Sequence, residues 1–113
     1  MKILWLALLL LLLSPALGWA ATNTLTWTDN STNEATFHIE RKAEACTGTA
    51  AFVEIATTGF NIVTFTDAAV TEGLTYCYRV AASNATGKSA YSNTAGRTVP
   101  FSVPAAPSGL TVQ

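Results

Sequence analysis

Few residues in this chain are of a type that does chemistry, and their spacing decides what each can do. His38 is the only histidine. Alternation places it on the solvent face of a strand beside Glu40, with no nucleophile or carboxylate pair assigned next to it, so catalysis is not expected. The acidic residues are scattered over separate loops and outer faces, which argues against a pair flanking a glycosidic bond. Gly87-Lys88-Ser89 matches the end of a phosphate-binding loop. Yet Ala82 stands where that motif's first glycine belongs, and no strand–loop–helix context surrounds it. Asp29, Ser31, Asn33 and Glu34 offer oxygens in the manner of a calcium loop. Glu34 falls where such a loop needs glycine, so hydrogen-bonded turn capping is the expectation. Asn30-Ser31-Thr32 and Asn84-Ala85-Thr86 fit the glycosylation pattern and are read as ordinary turn chemistry. No catalytic residue, metal ligand or cofactor site is expected.

Cys46 and Cys77 are the only cysteines. Their meaning depends on compartment. Lys2 is followed by an uninterrupted apolar run from Ile3 to Leu13, then Ser14-Pro15 and small residues around Gly18, Ala20 and Ala21. A basic start, a short apolar stretch and a small-residue end describe a secretory signal peptide over residues 1–20, expected to be helical, with cleavage after Gly18 or Ala20. The alternative is a retained anchor, but Pro15 and Gly18 interrupt a span that should be about 20 residues long. In an exported chain an even cysteine count favours a Cys46–Cys77 disulfide over two free buried thiols.

The sequence of 113 residues is 50% hydrophobic and 12% charged, with a formal net charge of −1. Setting aside residues 1–20, what remains supports one small domain. Without Lys2, five basic residues (Arg41, Lys42, Arg79, Lys88, Arg97) face seven acidic ones with no run of like charge. Nucleic acid and an acidic membrane surface are therefore not expected partners, and no membrane association is expected after signal removal.

Short alternating runs rich in Thr, Val, Ile, Phe and Tyr are separated by Gly, Asn, Asp and Ser, the pattern of an all-β sandwich. Leu25 and Trp27 share one face of the first strand. Phe37, Ile39 and Arg41 share one face of the second, opposite His38, Glu40 and Lys42. Val53 and Ile55 mark a third strand, and Val63 and Phe65 a fourth. Tyr76, Tyr78, Val80 and Ala82 share a face of the fifth, with Cys77 on its outer side, where Cys46 can meet it if the two strands are neighbours. A sixth strand is expected around Ser89 to Ala95. The predicted core is Trp27, Phe37, Ile39, Phe65, Tyr76, Tyr78 and Val80. The domain is placed at 21–97, followed by a Pro-rich linker and C-terminal strand at 98–113.

Residues from about Thr22 to Arg97 resemble a bacterial fibronectin type III domain. The resemblance rests on Leu25-Thr26-Trp27-Thr28-Asp29-Asn30-Ser31, on Asn33-Glu34 with Phe37-His38-Ile39-Glu40-Arg41, and on Phe65-Thr66-Asp67. It continues through Val70-Thr71-Glu72-Gly73-Leu74-Thr75-Tyr76 and the run from Tyr78 to Asn93. It implies an immunoglobulin-like β-sandwich of six or seven antiparallel strands. It also implies that Trp27 is the core aromatic of its second strand and Tyr76 a corner tyrosine, its hydroxyl bonded back to the preceding connection. The sequence departs from the family at the first strand, whose Pro-x-x-Pro-x-x-Leu character falls instead at Pro104, Pro107 and Leu110.

A sandwich without that strand leaves backbone groups unpaired along an edge. Leu110 and Val112 are expected to be the inward residues of a tail strand that fills such an edge. The candidates are a neighbouring copy's edge, the chain's own edge, or the start of a further domain. The expected function is that of a secreted, non-catalytic module mediating protein contacts or extracellular assembly, by C-terminal strand donation, with a protein or a second copy as partner. An extracellular or cell-surface location is expected, with the periplasm as alternative. The competing class is a carbohydrate-binding or spacer module accessory to a secreted polysaccharide-degrading enzyme. Its usual planar strip of aromatics is not expected here, because Phe52, Phe60, Tyr91 and Phe101 are scattered along the sequence.

Overall fold

The computed structural model describes residues 21–113; the expected signal segment, 1–20, lies outside them. Seven strand segments follow one another: β1 (Asn23–Thr26), β2 (Thr36–Lys42), β3 (Val53–Gly59), β4 (Thr64–Asp67), β5 (Thr75–Asn84), β6 (Gly87–Lys88) and β7 (Ala95–Thr98). They form two sheets. β1 pairs β4 alone, while the larger sheet runs β3-β2-β5-β6, with β7 also on β5. Every ladder is antiparallel. Among the described residues no helix is long and apolar enough to cross a membrane.

Alternation explains which side chains lie between the sheets. Phe37 and Ile39 of β2 and Tyr76, Tyr78 and Val80 of β5 are buried. They sit side by side because β2 and β5 pair in register, Phe37 opposite Ala82 and Ile39 opposite Val80. Leu25, Trp27 and Phe65 of the small sheet pack onto this cluster but stay half-buried. Trp27 meets Phe37 edge to face, with ring centroids 5.5 Å apart. The two-stranded sheet is narrower than the larger one, and its own apolar residues are the ones left part-exposed at the margin.

Polar groups tie the layers together. Asn23 Nδ2 donates to the Tyr78 hydroxyl at 2.9 Å, and that hydroxyl donates to Asp67 Oδ2 at 2.7 Å. Arg41, on the inward side of β2, donates to the same Asp67 oxygen at 2.9 Å. Burial, with the Asp67 carboxylate beside it, pushes the Tyr78 phenol up to about 12. Burial alone would raise Asp67, but the hydrogen bonds from Tyr78 and Arg41 outweigh it and hold that carboxyl below its ordinary value.

Cys46 and Cys77 are bonded, with an S–S distance of 2.04 Å, which staples the β2–β3 connection to β5. Tyr76 is a corner tyrosine in geometry: its hydroxyl accepts from the Thr71 amide at 2.9 Å. In the same corner Gly73 adopts φ 82°, with the Phe101 ring against the position a Cβ would take. Left-handed backbone and steric contact both oppose a side chain there. Gly73→Ala is expected to destabilise the domain by about 1–2 kcal/mol. An unchanged thermal melt would show instead that this corner relaxes freely.

The expectation for the last strand needs correction. The last strand does not run from Ser89 to Ala95. It is split into β6 and β7, and the segment between them serves β5 through side chains. Ser89 Oγ accepts from Ala82 N at 2.9 Å and Ser92 Oγ from Val80 N at 3.0 Å. Serine hydroxyls thus stand in for the carbonyls a regular ladder would supply. Packing also continues past Arg97, where the sequence places the end of the domain. Thr98 belongs to β7, and Val99 is buried in the core, its backbone bonded to Leu74 O (2.9 Å) and Gly73 N (2.7 Å). The start of the expected linker is thereby held against the sandwich.

Candidate functional site

The site begins with the direction of backbone groups in β1. The Trp27 amide donates to Val63 O at 3.1 Å, and the Leu25 carbonyl accepts from Thr64 Oγ1 at 3.0 Å. The odd-numbered residues therefore turn their amide and carbonyl toward β4. Because that direction alternates along an antiparallel ladder, Thr24 and Thr26 turn theirs to the opposite side. There they find no strand among the described residues.

Beside this edge runs a groove of about 740 Å³, bounded by β1 on one side and by β5 and β7 on the other. Leu25, Trp27, Tyr78 and Val80 form its apolar floor. The Trp27 Nε1 is buried with no acceptor among the described residues. One end is closed by Arg97 of β7, which donates to Thr22 O (3.2 Å) and Asn23 Oδ1 (3.1 Å). The other end is framed by Thr28, Asn30, Ser92 and Asn93, all exposed. Such a site can accept an extended segment: backbone groups along one side, a floor for apolar side chains beneath.

The tail expected to be a strand is not one in the single chain. Leu110 and Val112 are 96% and 95% exposed, and no strand is formed beyond Thr98. Gly109 adopts φ 70°, a kink that glycine accommodates without strain. The first residues after the core are held. Ser102 donates from its amide (3.3 Å) and hydroxyl (2.7 Å) to Glu72 Oε1.

The outer face of the larger sheet carries two constellations that the sequence did not reveal. Glu40, Arg79 and Lys88 converge there with Phe52 and Tyr91. Arg79 lies between the two rings, 4.2 Å from the Phe52 centroid and 3.6 Å from that of Tyr91. Glu40 Oε1 accepts from Arg79 Nε at 2.8 Å, and Oε2 from Tyr91 at 3.0 Å and Lys88 at 3.3 Å. Burial would raise the Glu40 carboxyl, but these hydrogen bonds hold it below its ordinary value. Two of the aromatics read as scattered are therefore gathered, but around a guanidinium rather than into a flat strip.

His38 is the second. Its Nδ1 lies 2.8 Å from Glu54 Oε1 and its Nε2 2.7 Å from Ser83 Oγ, joining β3, β2 and β5. The expectation that no nucleophile neighbours His38 is corrected. Register brings Ser83 and Glu54 to it from strands far apart in sequence. The order serine–histidine–carboxylate can activate a hydroxyl, but acyl transfer also requires donors aimed at the developing oxyanion. Four amides of this region are already engaged: Ala35 to Ser83 O, Ser89 to Ala82 O, Thr86 and Gly87 to Asn84 Oδ1. What the trio shows in this structure is a set of contacts that tie the three strands together.

The other motifs resolve as turns. Asp29 and Glu34 both bond Ser31, and Glu34 also accepts from the Asn61 amide, so its carboxyl is held low chiefly by Ser31. Gly87-Lys88-Ser89 follows a tight hairpin in which Ser83 pairs Lys88.

No protein-family model and no curated protein matches this sequence. Solved structures do. The fourth FNIII domain of a human protein superposes with a TM-score of 0.62 at 16% identity, over 78% of this chain and 74% of that one. Pectate lyase Pel3 from Pectobacterium carotovorum gives 0.61 at 25% identity, covering 80% of this chain and 27% of the lyase. The twitchin kinase region from C. elegans gives 0.58 at 22% identity, covering 73% of this chain. This chain spans only 14% of the twitchin region's length. The fold is that of a fibronectin type III domain, an immunoglobulin-like β-sandwich in which β1 pairs only β4 among the described residues.

Proposed function

We propose that this chain is a secreted, non-catalytic fibronectin type III-like module that works through protein contacts made along the free edge of β1. The observation that carries this reading is that Thr24 and Thr26 meet no strand on the side away from β4 among the described residues, above an apolar groove. An open edge over a hydrophobic floor is a template for a partner's strand, and natural proteins seldom leave one uncovered. Export to an extracellular, cell-surface or periplasmic location is supported by the basic-then-apolar leader and is compatible with the formed disulfide. The non-catalytic half is supported by the engaged amides around Ser83.

Amide exchange on protein recovered from its secreting source tests the reading. Thr24 and Thr26 are expected to exchange slowly in native assemblies and fast in diluted monomer. Fast exchange in both states sinks the edge as the contact surface. Ester or glycoside turnover that disappears in His38→Ala would overturn the non-catalytic half.

A second reading has one observation in its favour, the likeness of this domain to part of a pectate lyase. As an accessory or spacer module it would bind or present acidic polysaccharide. Affinity electrophoresis in polygalacturonate decides between them: retardation abolished by Phe52→Ala with Tyr91→Ala would favour the sugar.

A further inference from the structure

We infer that the segment Ser108–Val112 of one copy occupies the β1 groove of the next, running antiparallel to β1 and linking copies head to tail. The inference rests on the reading of the β1 edge as a protein-contact surface and commits it to one occupant. Three observations select that occupant. The tail places Leu110 and Val112 two residues apart, so both fall on one side of an extended strand, with Thr111 on the other. Both are almost wholly exposed in the single chain. The groove offers what such a strand lacks: Leu25, Trp27 and Val80 beneath, and the free backbone of Thr24 and Thr26 alongside. Thr111 would then join the exposed threonines of β1.

Geometry disfavours the chain's own groove. The C-terminal strand and the start of β1 meet at one pole, where Arg97 bonds Thr22 and Asn23. The tail leaves from this pole and is held there as far as Ser102 by Glu72. To lie antiparallel to its own β1 it must start at the opposite end, near Thr28. That end is about 17 Å along the strand, and the two sheets stand about 10 Å apart. From Ser102 to Ser108 there are six Cα steps, at most about 22 Å at full stretch, against a straight line of about 20 Å, and the chain must still pass round the sandwich and reverse direction. A fully stretched tether leaves no length for that detour and turn. Running parallel to its own β1, the tail would have to pass the end that Arg97 closes, in a sandwich where every ladder is antiparallel. A second copy stacked pole to pole removes both obstacles, because the tail then enters by the end framed by Thr28, Asn30, Ser92 and Asn93. A donor at one end and an acceptor at the other make a heterologous contact, so growth is open-ended.

Two full-chain variants test this. Leu110→Asp with Val112→Asp spoils the donor at fully exposed positions, leaving the fold intact. Thr26→Pro removes an amide that faces the free edge, and so blocks the acceptor while sparing the β1–β4 ladder. Light scattering should show wild type growing with concentration, each variant monomeric, and an equimolar mixture forming one-to-one dimers. If Thr26→Pro fails to fold, a synthetic peptide of residues 104–113 added to the tail variant serves as the donor. Thr24 and Thr26 amides should be protected in wild type and exposed in the tail variant. A monomeric wild type with both amides protected means self-completion and overturns the inference. So does a monomer with both exposed, or a mixture that does not pair. Assembly and protection that persist in the tail variant also overturn it, while leaving the β1 edge as a contact surface for another protein.

Discussion

The double variant Cys46→Ser with Cys77→Ala is expected to lose about 3–4 kcal/mol of stability, the chain-entropy value for a loop of this length. The bond closes a separation of 31 residues. In a domain of this size that loss corresponds to a fall in Tm of about 15 °C or more. Alanine is specified at position 77 because Cys77 is fully buried, and a serine hydroxyl there would be desolvated without a partner. Cys46 is better exposed and accepts serine. The bridge does more than shorten the unfolded chain. It pins the irregular β2–β3 connection against β5 and β7, where Cys46 Sγ approaches Gly96. Calorimetry of the double variant, and of wild type under reductant, should give the same lowered transition. A shift of less than about 5 °C would mean that the packed core alone sustains the fold.

Asp67→Asn is expected to lower stability by about 2–3 kcal/mol at neutral pH. Asp67 accepts from Tyr78 and Arg41 between the sheets. An amide keeps the shape and one acceptor but leaves Arg41 without its counter-charge. Breaking a buried pair costs about 3–5 kcal/mol, and the value is discounted because Arg41 keeps 23% of its side chain in solvent. The sign of the pH dependence follows from the directions. Asp67 and Glu40 both have depressed carboxyls. Their stabilisation is therefore present above the unfolded values, near about pH 4, and is lost as pH falls through the folded ones. Tyr78 is raised from 10.0 to about 12, so stability is also lost as pH climbs between those values. Urea unfolding should show the gap between wild type and Asp67→Asn narrowing in acid. A gap that stays constant from about pH 7 to about pH 2.5 would show that Asp67 acts by shape and not by charge.

Legibility differs sharply between neighbouring residues. In β2 and β5, side chains alternate strictly, and the rule that successive residues face opposite sides names Phe37, Ile39, Tyr76, Tyr78 and Val80 without reference to any partner. The last strand is misread because Ser89 and Ser92 resemble surface residues of a strand. Only their position against Val80 and Ala82 shows them serving as acceptors. Val99 reads as linker because prolines follow it, yet one apolar side chain and two backbone bonds suffice to capture it.

The properties readable without any knowledge of neighbours are local or additive: the all-β class, the inward faces of the central strands, and an even count of two cysteines. Each depends on period, count or composition. Which residues meet is a different matter, and folding alone settles it. Asn23 reaches Tyr78 across 55 positions, and Tyr91 reaches Glu40 across 51. His38 finds Ser83 and Glu54 through the register of three strands, and the tether of the tail is shortened by Glu72 holding Ser102. Such pairings follow from register and sheet order, which are set by the whole core at once. Contacts of that kind are properties of the folded chain, and no window of sequence contains them.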